Sequence, residues 1–405
     1  MIGAEMMGKR RRNGEGSICK RKDGRYQCQA IVGISDDGKV KRKTLYGKNE
    51  SEVIDKLNQL LIQVKQNSYI EPTKMTLSEW LNKWMTNYKK LTLKRTTWEL
   101  YNILIEKHIK PEIGGIKLSK LQTGHIQGLY SKKSQEGSRA DNRPGSLSPK
   151  SIRHIHTVIR SALEQALRER LISINPADAA VLPRNYRKEM KILDIQGITK
   201  FLSAAKGSRY YTAFLLILAT GLRRGEALGL RWKDIDLQKG VINVKQQLVR
   251  VKGGFMFSDL KTELSRRMVA IDDDIVQELK EHMESQMLER QKNHQIYEKN
   301  DLVFCSEIGK PIPPRNFVRY FKAILKKAGL DEIRLHDLRH TYATMVLGQG
   351  ISHKTLQENL GHYSASFTIE MYGHNTQDMK RDAAEKVGSL LKKCVDKEIT
   401  PDERG

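Results

Sequence analysis

The chain has no run of about 18 apolar residues, so nothing in it reads as a helix crossing a bilayer, and no apolar stretch follows the early basic residues as in a secretory signal. Cysteine is scarce and scattered, at Cys19, Cys28, Cys305 and Cys394, with no CxxC pair. That spacing argues against a disulfide framework or a cysteine-based zinc site and leaves buried or incidental thiols. No internal repeat at a period of about 20 to 50 residues is visible, so the parts of the chain are different modules rather than copies. Acidic residues are also in short supply, 47 against 72 lysines and arginines, which leaves a formal charge of +25 over 405 residues. Self-repulsion of that size is tolerated where a polyanion neutralises it, and nucleic acid is the expected partner. A soluble, cytoplasmic protein with no membrane partner is expected. Hydrophobic residues, 39% of the chain, suffice to build cores, and the length suggests two or three domains at roughly 100 to 200 residues each.

Periodicity divides the chain. Residues 1–13 are a basic arm carrying Arg10, Arg11 and Arg12, either a solvated tail or a contact to phosphates. From 14 to 66, the turn signals Lys22-Asp23-Gly24 and Ser35-Asp36-Asp37-Gly38 separate three strand-like runs, a meander followed by a helix. Tyr26, Cys28, Ala30, Val32 and Ile34 alternate onto one apolar face, which a helix capped by Asn49 and Glu52 can cover with Val53, Leu57, Leu60, Leu61 and Val64. The opposite face is then open to Arg21, Lys41, Arg42 and Lys43, as a solvated edge or as a basic sheet that enters a major groove. From 75 to 174 the period is that of helices. Thr76 with Glu79 caps the first, the second runs from about Thr97 and stops at Pro111, the third begins near Thr123, and the fourth starts at Pro149. The tryptophans there are expected in a core. Residues 175–192, with two prolines and few apolar contacts to offer, read as a linker, and 193–375 as a larger mixed domain with strands turning at Gly253-Gly254 and near Ser265. The fold class is multidomain and mainly α with small β-sheets.

The stretch RLHDLRHTYATMVLGQG, 334–350, sets His336, Arg339 and His340 at helical spacing on one side. It reads as a metal site, as a structural helix, or as a grip for an anion. The residue after the first histidine is Asp337 where an HExxH zinc helix has glutamate, and an adjacent arginine repels a divalent cation. In LATGLRRGEALGLRWKDID, Thr220-Gly221 ends one helix and Arg223 stands at a turn before the next, where a planar guanidinium can face a phosphate or simply be solvated. Lys261 in DLKTELSRRMVAI, and His362 and Tyr372 in ENLGHYSASFTIEMYGH, each have an ordinary surface or core reading when taken alone. Together the set needs no metal. Two guanidiniums can hold a phosphodiester and offset charge building on its oxygens, a tyrosine hydroxyl can attack phosphorus, and a lysine or histidine can protonate the departing oxygen.

In that order, TGLRRGEALGLRWKDID, KTELSRRMVAI, HDLRHTYAT, LGH and MYGH resemble the motifs of tyrosine recombinases of the phage-integrase family, most like integrases of conjugative transposons and temperate phages. The resemblance spans most of 195–375 and shows no departure at the catalytic positions. It implies an arm-type DNA-binding sheet-plus-helix domain at 14–66, a core-binding helical bundle at 75–174, a mostly α catalytic domain at 193–375, and a C-terminal helix or tail at 376–405 that packs on a neighbouring protomer or in cis. It implies Arg223 and Arg339 as phosphate clamp, Lys261 as general acid, His336 and His362 as proton-handling partners, Tyr372 as nucleophile, and Glu226 and His340 in support. Integration and excision of a mobile element through a phosphotyrosine ester would then proceed with no cofactor and no metal. The implied partners are core and arm-type sites on double-stranded DNA, three further copies of the chain, an excisionase and a host DNA-bending protein, in a bacterial cytoplasm and on the nucleoid when DNA is bound. A type IB topoisomerase-like enzyme and a non-catalytic DNA-binding regulator are the alternatives.

Overall fold

The computed structural model describes residues 16–34, 37–66, 69–71, 73–139, 144–185, 190–260 and 265–361, with 385 and 387–389. It divides into two compact units, 1–186 and 187–405. No helix among the described residues is long and apolar enough to cross a membrane.

The first unit begins with the expected meander: β1 (Ser17–Lys20), β2 (Tyr26–Ile34) and β3 (Val40–Gly47) pair antiparallel in sequence order. Gly24, at φ 82°, supplies the left-handed residue of the first turn. Cys28 and Ala30 pack with Val53, Leu57 and Leu60 of α1 (Glu50–Lys65), covering one face of the sheet. Two details differ from the sequence reading. A bulge at Val32 shifts the register between Ile31 and Gly33, so Ile34 leaves the apolar face and is 71% exposed. Asn49 caps α1 through the Glu52 N–H, but the Glu52 carboxylate accepts from the Lys48 N–H at 2.8 Å rather than from the cap residue itself.

The rest of this unit is helical. α2 (Leu77–Trp84) opens on a complete capping box between Thr76 and Glu79 and runs on as a wide turn at Met85–Lys89. α3 (Arg95–Leu104) passes through a second wide turn, Ile105–Ile109, into α4 (Lys110–Ile113), and α5 (Thr123–Lys133) and α6 (Pro149–Arg168) complete the bundle. Pro111 therefore does not stop its helix. The Lys110 N–H reaches back five residues to the Ile105 carbonyl, and this widened turn takes a residue without an N–H inside the helix. Trp80 and Trp84 lie in the core as expected, and Trp80 donates its indole N–H to the Ala162 carbonyl at 2.8 Å. Residues 175–182, the first part of the segment read as a linker, lie on this core: Ala177 is buried in it, and the Val181 N–H is held by Gln127 at 2.9 Å.

The second unit surrounds a core of Phe201, Phe214, Phe317 and Phe321. α7 (Ile195–Ala205) and α8 (Tyr211–Thr220) lead to the short α9 (Arg224–Leu228). Then come β4 (Ile235–Asp236), β5 (Val241–Val244), the hairpin of β6 (Gln246–Val251) and β7 (Gly254–Asp259), and β8 (Arg267–Ala270). β4, β5 and β8 form one antiparallel sheet. α10 (Asp273–Lys292), α11 (Pro314–Lys327), α12 (Asp337–Gly348) and α13 (His353–Leu360) follow.

Replacing Trp80 by Ala removes a fully buried ring together with its hydrogen bond. It should cost about 3 to 5 kcal/mol, read as a lower urea midpoint for the helical transition; an unchanged midpoint would contradict this packing.

Candidate active site

Four stretches that are far apart in sequence meet at the C-terminal end of α13. α8 ends at Gly221 in the left-handed region, φ 64°. A Cβ there would lie 2.4 Å from Tyr342 Cδ1 and 2.8 Å from Leu360 Cδ2, so only glycine allows the end of α8 to close against α12 and α13. Two residues later Arg223 caps α9. Its Nη1 donates to Glu226 Oε1 at 2.7 Å and its backbone N–H to Glu226 Oε2 at 3.0 Å. About a third of the Arg223 side chain stays exposed, so the guanidinium is anchored yet opens to the surface.

Glu226 is almost completely buried and accepts a further bond, from Arg267 Nη2 at 2.8 Å. Burial alone would raise its pKa, but the charge and hydrogen bond of Arg267, joined by Arg223, overcome that and hold it down from the ordinary 4.5 to about 2. Arg267 comes from the first position of β8. Alternation along that strand turns Arg267 and the buried Val269 to the same side and Met268 to solvent.

Arg339, on α12, is 1% exposed. Its Nη1 donates to the Gly221 carbonyl at 2.7 Å and its Nη2 to the Leu360 carbonyl at 2.6 Å. The carbonyls on either side are held in the same way: Asn359 O accepts from Arg267 Nε at 2.5 Å, and Gly361 O from Arg223 Nη2 at 3.2 Å. Three consecutive carbonyls at a helix end, where no intrahelical partner exists, are thus taken by three arginines from three different elements.

His336 stands at the start of α12, its ring edge-on to that of His340 at 4.8 Å. By surface area it is exposed to solvent, yet many protein atoms crowd around the ring and desolvate it. That desolvation, followed by the positive fields of His340, Arg339 and Arg223, lowers its pKa to about 4. Burial first, and then Arg334 and Arg339, lower that of His340 against the opposing pull of Asp337. Asp337 fixes the helix start by accepting from the Arg334 N–H at 2.7 Å and from its guanidinium.

Of the expected site residues, the structure brings together Arg223, Glu226, His336, Arg339 and His340. The expectations for Lys261, His362 and Tyr372, for Arg10, Arg11 and Arg12, and for nearly all of the tail lie outside the described residues. Arg267 was missed as an individual residue, although its place on the inward parity of a strand was a legible signal. Among the described residues no group of three or more His, Cys, Asp or Glu is arranged to hold a metal ion.

On the N-terminal sheet the basic residues divide between two faces. Arg42 is opposite Ile31 on the open face, and the Arg21 guanidinium lies 5.3 Å over the Tyr46 ring. Lys43 is opposite the buried Ala30 and so belongs to the face covered by α1, which corrects its assignment to the open face. Lys41 shares the parity of Lys43 and pairs with Glu71 at 3.1 Å.

Comparison with known proteins shows the family to which the chain belongs. The profile of the phage integrase family matches residues 188–379, and that of the N-terminal SAM-like domain of phage integrases matches 76–134. A XerC-like tyrosine recombinase of Caldanaerobacter subterraneus subsp. tengcongensis is 30% identical over 386 residues, spanning 90% of this chain and 96% of that protein. The ICEBs1 integrase of Bacillus subtilis is 32% identical over 247 residues, 60% of this chain and 67% of its own. In fold, the Tn1549 transposon integrase in complex with circular intermediate DNA superposes with a TM-score of 0.64 at 23% identity, over 77% of this chain and 100% of that one. A lambda integrase tetramer bound to a Holliday junction gives 0.54 at 20% identity, over 86% and 96%. The chain belongs to the phage integrase family of tyrosine recombinases, which are DNA strand transferases.

Because the folded pKa of Glu226 is depressed, the unfolded chain binds more protons between pH 4.5 and about 2, and stability falls as pH drops through that window. Glu226→Gln removes this contribution. Urea midpoints compared between pH 6 and pH 3 should fall less for the variant than for the unmodified protein; equal falls would mean that the carboxylate is not held as described.

Proposed function

We propose that this chain is a site-specific integrase that inserts and excises a mobile element through a covalent 3′-phosphotyrosine intermediate. The observation that carries this reading is the gathering of Arg223, Glu226, His336 and Arg339 against the helix end that leads, one residue later, into His362. Arg223 and Arg339 grip the non-bridging oxygens of the scissile phosphate and offset the charge that builds as phosphorus becomes five-coordinate. The Tyr372 hydroxyl attacks phosphorus, the bond to the 5′ oxygen breaks, and Lys261 delivers the proton that the departing 5′ hydroxyl needs. His336 and His362 hydrogen-bond the phosphate or pass the tyrosine proton onward. The 5′ hydroxyl of a partner strand then attacks the phosphotyrosine and releases Tyr372, so the number of ester bonds is conserved and no external energy source enters the balance.

The open face of the N-terminal sheet, with Arg21 and Arg42, and the arm with Arg10, Arg11 and Arg12 serve arm-type sites. The helical bundle and the catalytic unit serve core sites. Four copies work on paired sites, the tail at 376–405 docks on a neighbouring copy, and an excisionase and a host bending protein set direction. This places the reaction in the cytoplasm, on the nucleoid.

Tyr372→Phe should abolish covalent adducts on a nicked attachment-site duplex while core-site affinity stays within about threefold, since the hydroxyl adds little to binding that is dominated by phosphate charge. An adduct formed by the Phe variant would remove Tyr372 from the role. Strand exchange between two duplexes by the unmodified protein distinguishes an integrase from a topoisomerase, which reseals only the strand it cut.

A further inference from the structure

The phosphate clamp does not stand alone: Arg223 is held by Glu226, and Glu226 by Arg267. Arg267 is 6% exposed in its side chain, and the partners of all three of its nitrogens are protein atoms. Nη2 goes to Glu226 Oε2, Nε to the Asn359 carbonyl, and Nη1 to the Ser265 carbonyl at 3.3 Å. These bonds tie together three parts of the site: the carboxylate that orients Arg223, the end of α13, and Ser265, four residues after Lys261 in the sequence. Gly361, at φ 61°, packs against the same guanidinium: a Cβ there would lie 3.1 Å from Arg267 Nη1 and 3.2 Å from its Cδ.

On the basis of the phosphotyrosine reaction above, we propose that Arg267 is a positioning residue for strand cleavage, setting the Arg223 fork through Glu226 and the end of α13 through the Asn359 carbonyl. It contributes no donor to the phosphate. The planar guanidinium is required because one group must serve a carboxylate and a carbonyl in fixed directions at once; a lysine ammonium reaches one of them well and not both. Loss of Arg267 also leaves Glu226 buried with a single cationic partner and without the donor that fixes its carboxylate plane, so the direction it imposes on Arg223 is lost.

The test uses the full-length protein and a nicked attachment-site duplex, reading the single-turnover rate of adduct formation, DNA affinity and melting temperature. Arg267→Gln should slow adduct formation by about a hundredfold, the scale of a misplacement near 1 Å, with affinity for the duplex changed by less than about threefold because the phosphate contacts remain. Arg267→Lys should recover part of the rate and fold like the unmodified protein, so it carries the comparison if the Gln variant does not fold. Glu226→Gln should slow cleavage as well, and the double variant should be no slower than the slower single one, because both act on Arg223 along one path. Arg267 variants that cleave within twofold of the unmodified protein, parallel losses of binding and cleavage, or losses that multiply in the double variant would overturn the positioning role. Unmodified protein that forms no adduct would instead overturn the phosphotyrosine reaction itself, and this role with it.

Discussion

The interaction on which the catalytic unit depends is the capture of the end of α13 by arginines. The carbonyls of Asn359, Leu360 and Gly361 have no partners within their own helix and carry the negative end of its dipole. Arg267, Arg339 and Arg223 take one each. Glu226 supplies a full negative charge to Arg223 and Arg267, and the helix end supplies about half of another. The exposed side of Arg223 is where an anion could add to them. On the proposed reading, the same hydrogen bonds that hold the fold together also aim the open side of Arg223 at a phosphate.

That design explains why short elements suffice. α9 has five residues and α13 eight, too few to hold a side chain in place by their own helical stability. α9 is fixed by the reciprocal bonds between Arg223 and Glu226, and α13 by Leu356 and Leu360 in a small apolar cluster with Tyr342 and Leu347. Gly221 is the point where the cluster and the arginine network touch: its missing Cβ admits Tyr342 and Leu360, while its carbonyl accepts from Arg339. A side chain there would push against both at once.

Much of this was legible in the sequence wherever a local rule decides the outcome. The Thr76 to Glu79 capping box, the first meander turn and the glycine end of α8 depend on residues within one or two turns of one another, and each formed. The misses have non-local or geometric causes. Pro111 reads as a stop only if its helix is regular, and the wide turn at Ile105–Ile109 makes it irregular. Ile34 reads as buried only if the strand keeps its period, and the bulge at Val32 breaks it; Lys43 reads as open-faced until the pairing partner Ala30 is known. In the site, Arg223, Glu226, His336 and Arg339 were visible as motif residues, but the carbonyls of 359–361 have no signature in a sequence, since any residue provides one. Arg267 was hidden among many basic residues and stood out only by its parity with Val269.

The protonation of the two histidines follows first from desolvation and then from the charges around them. Protein atoms desolvate the His336 ring, and a cationic imidazole there would also add to the fields of His340, Arg339 and Arg223, so its pKa is held near 4. At neutral pH the ring is therefore neutral, with one nitrogen donating and the other accepting. Such a group can carry a proton between a hydroxyl and a phosphate oxygen without raising the positive potential further, which a lysine at the same position would do. The arginine cage thus deepens a shift that desolvation begins, and any change that removes a guanidinium from the cage should let the imidazole pKa rise part of the way toward its ordinary value.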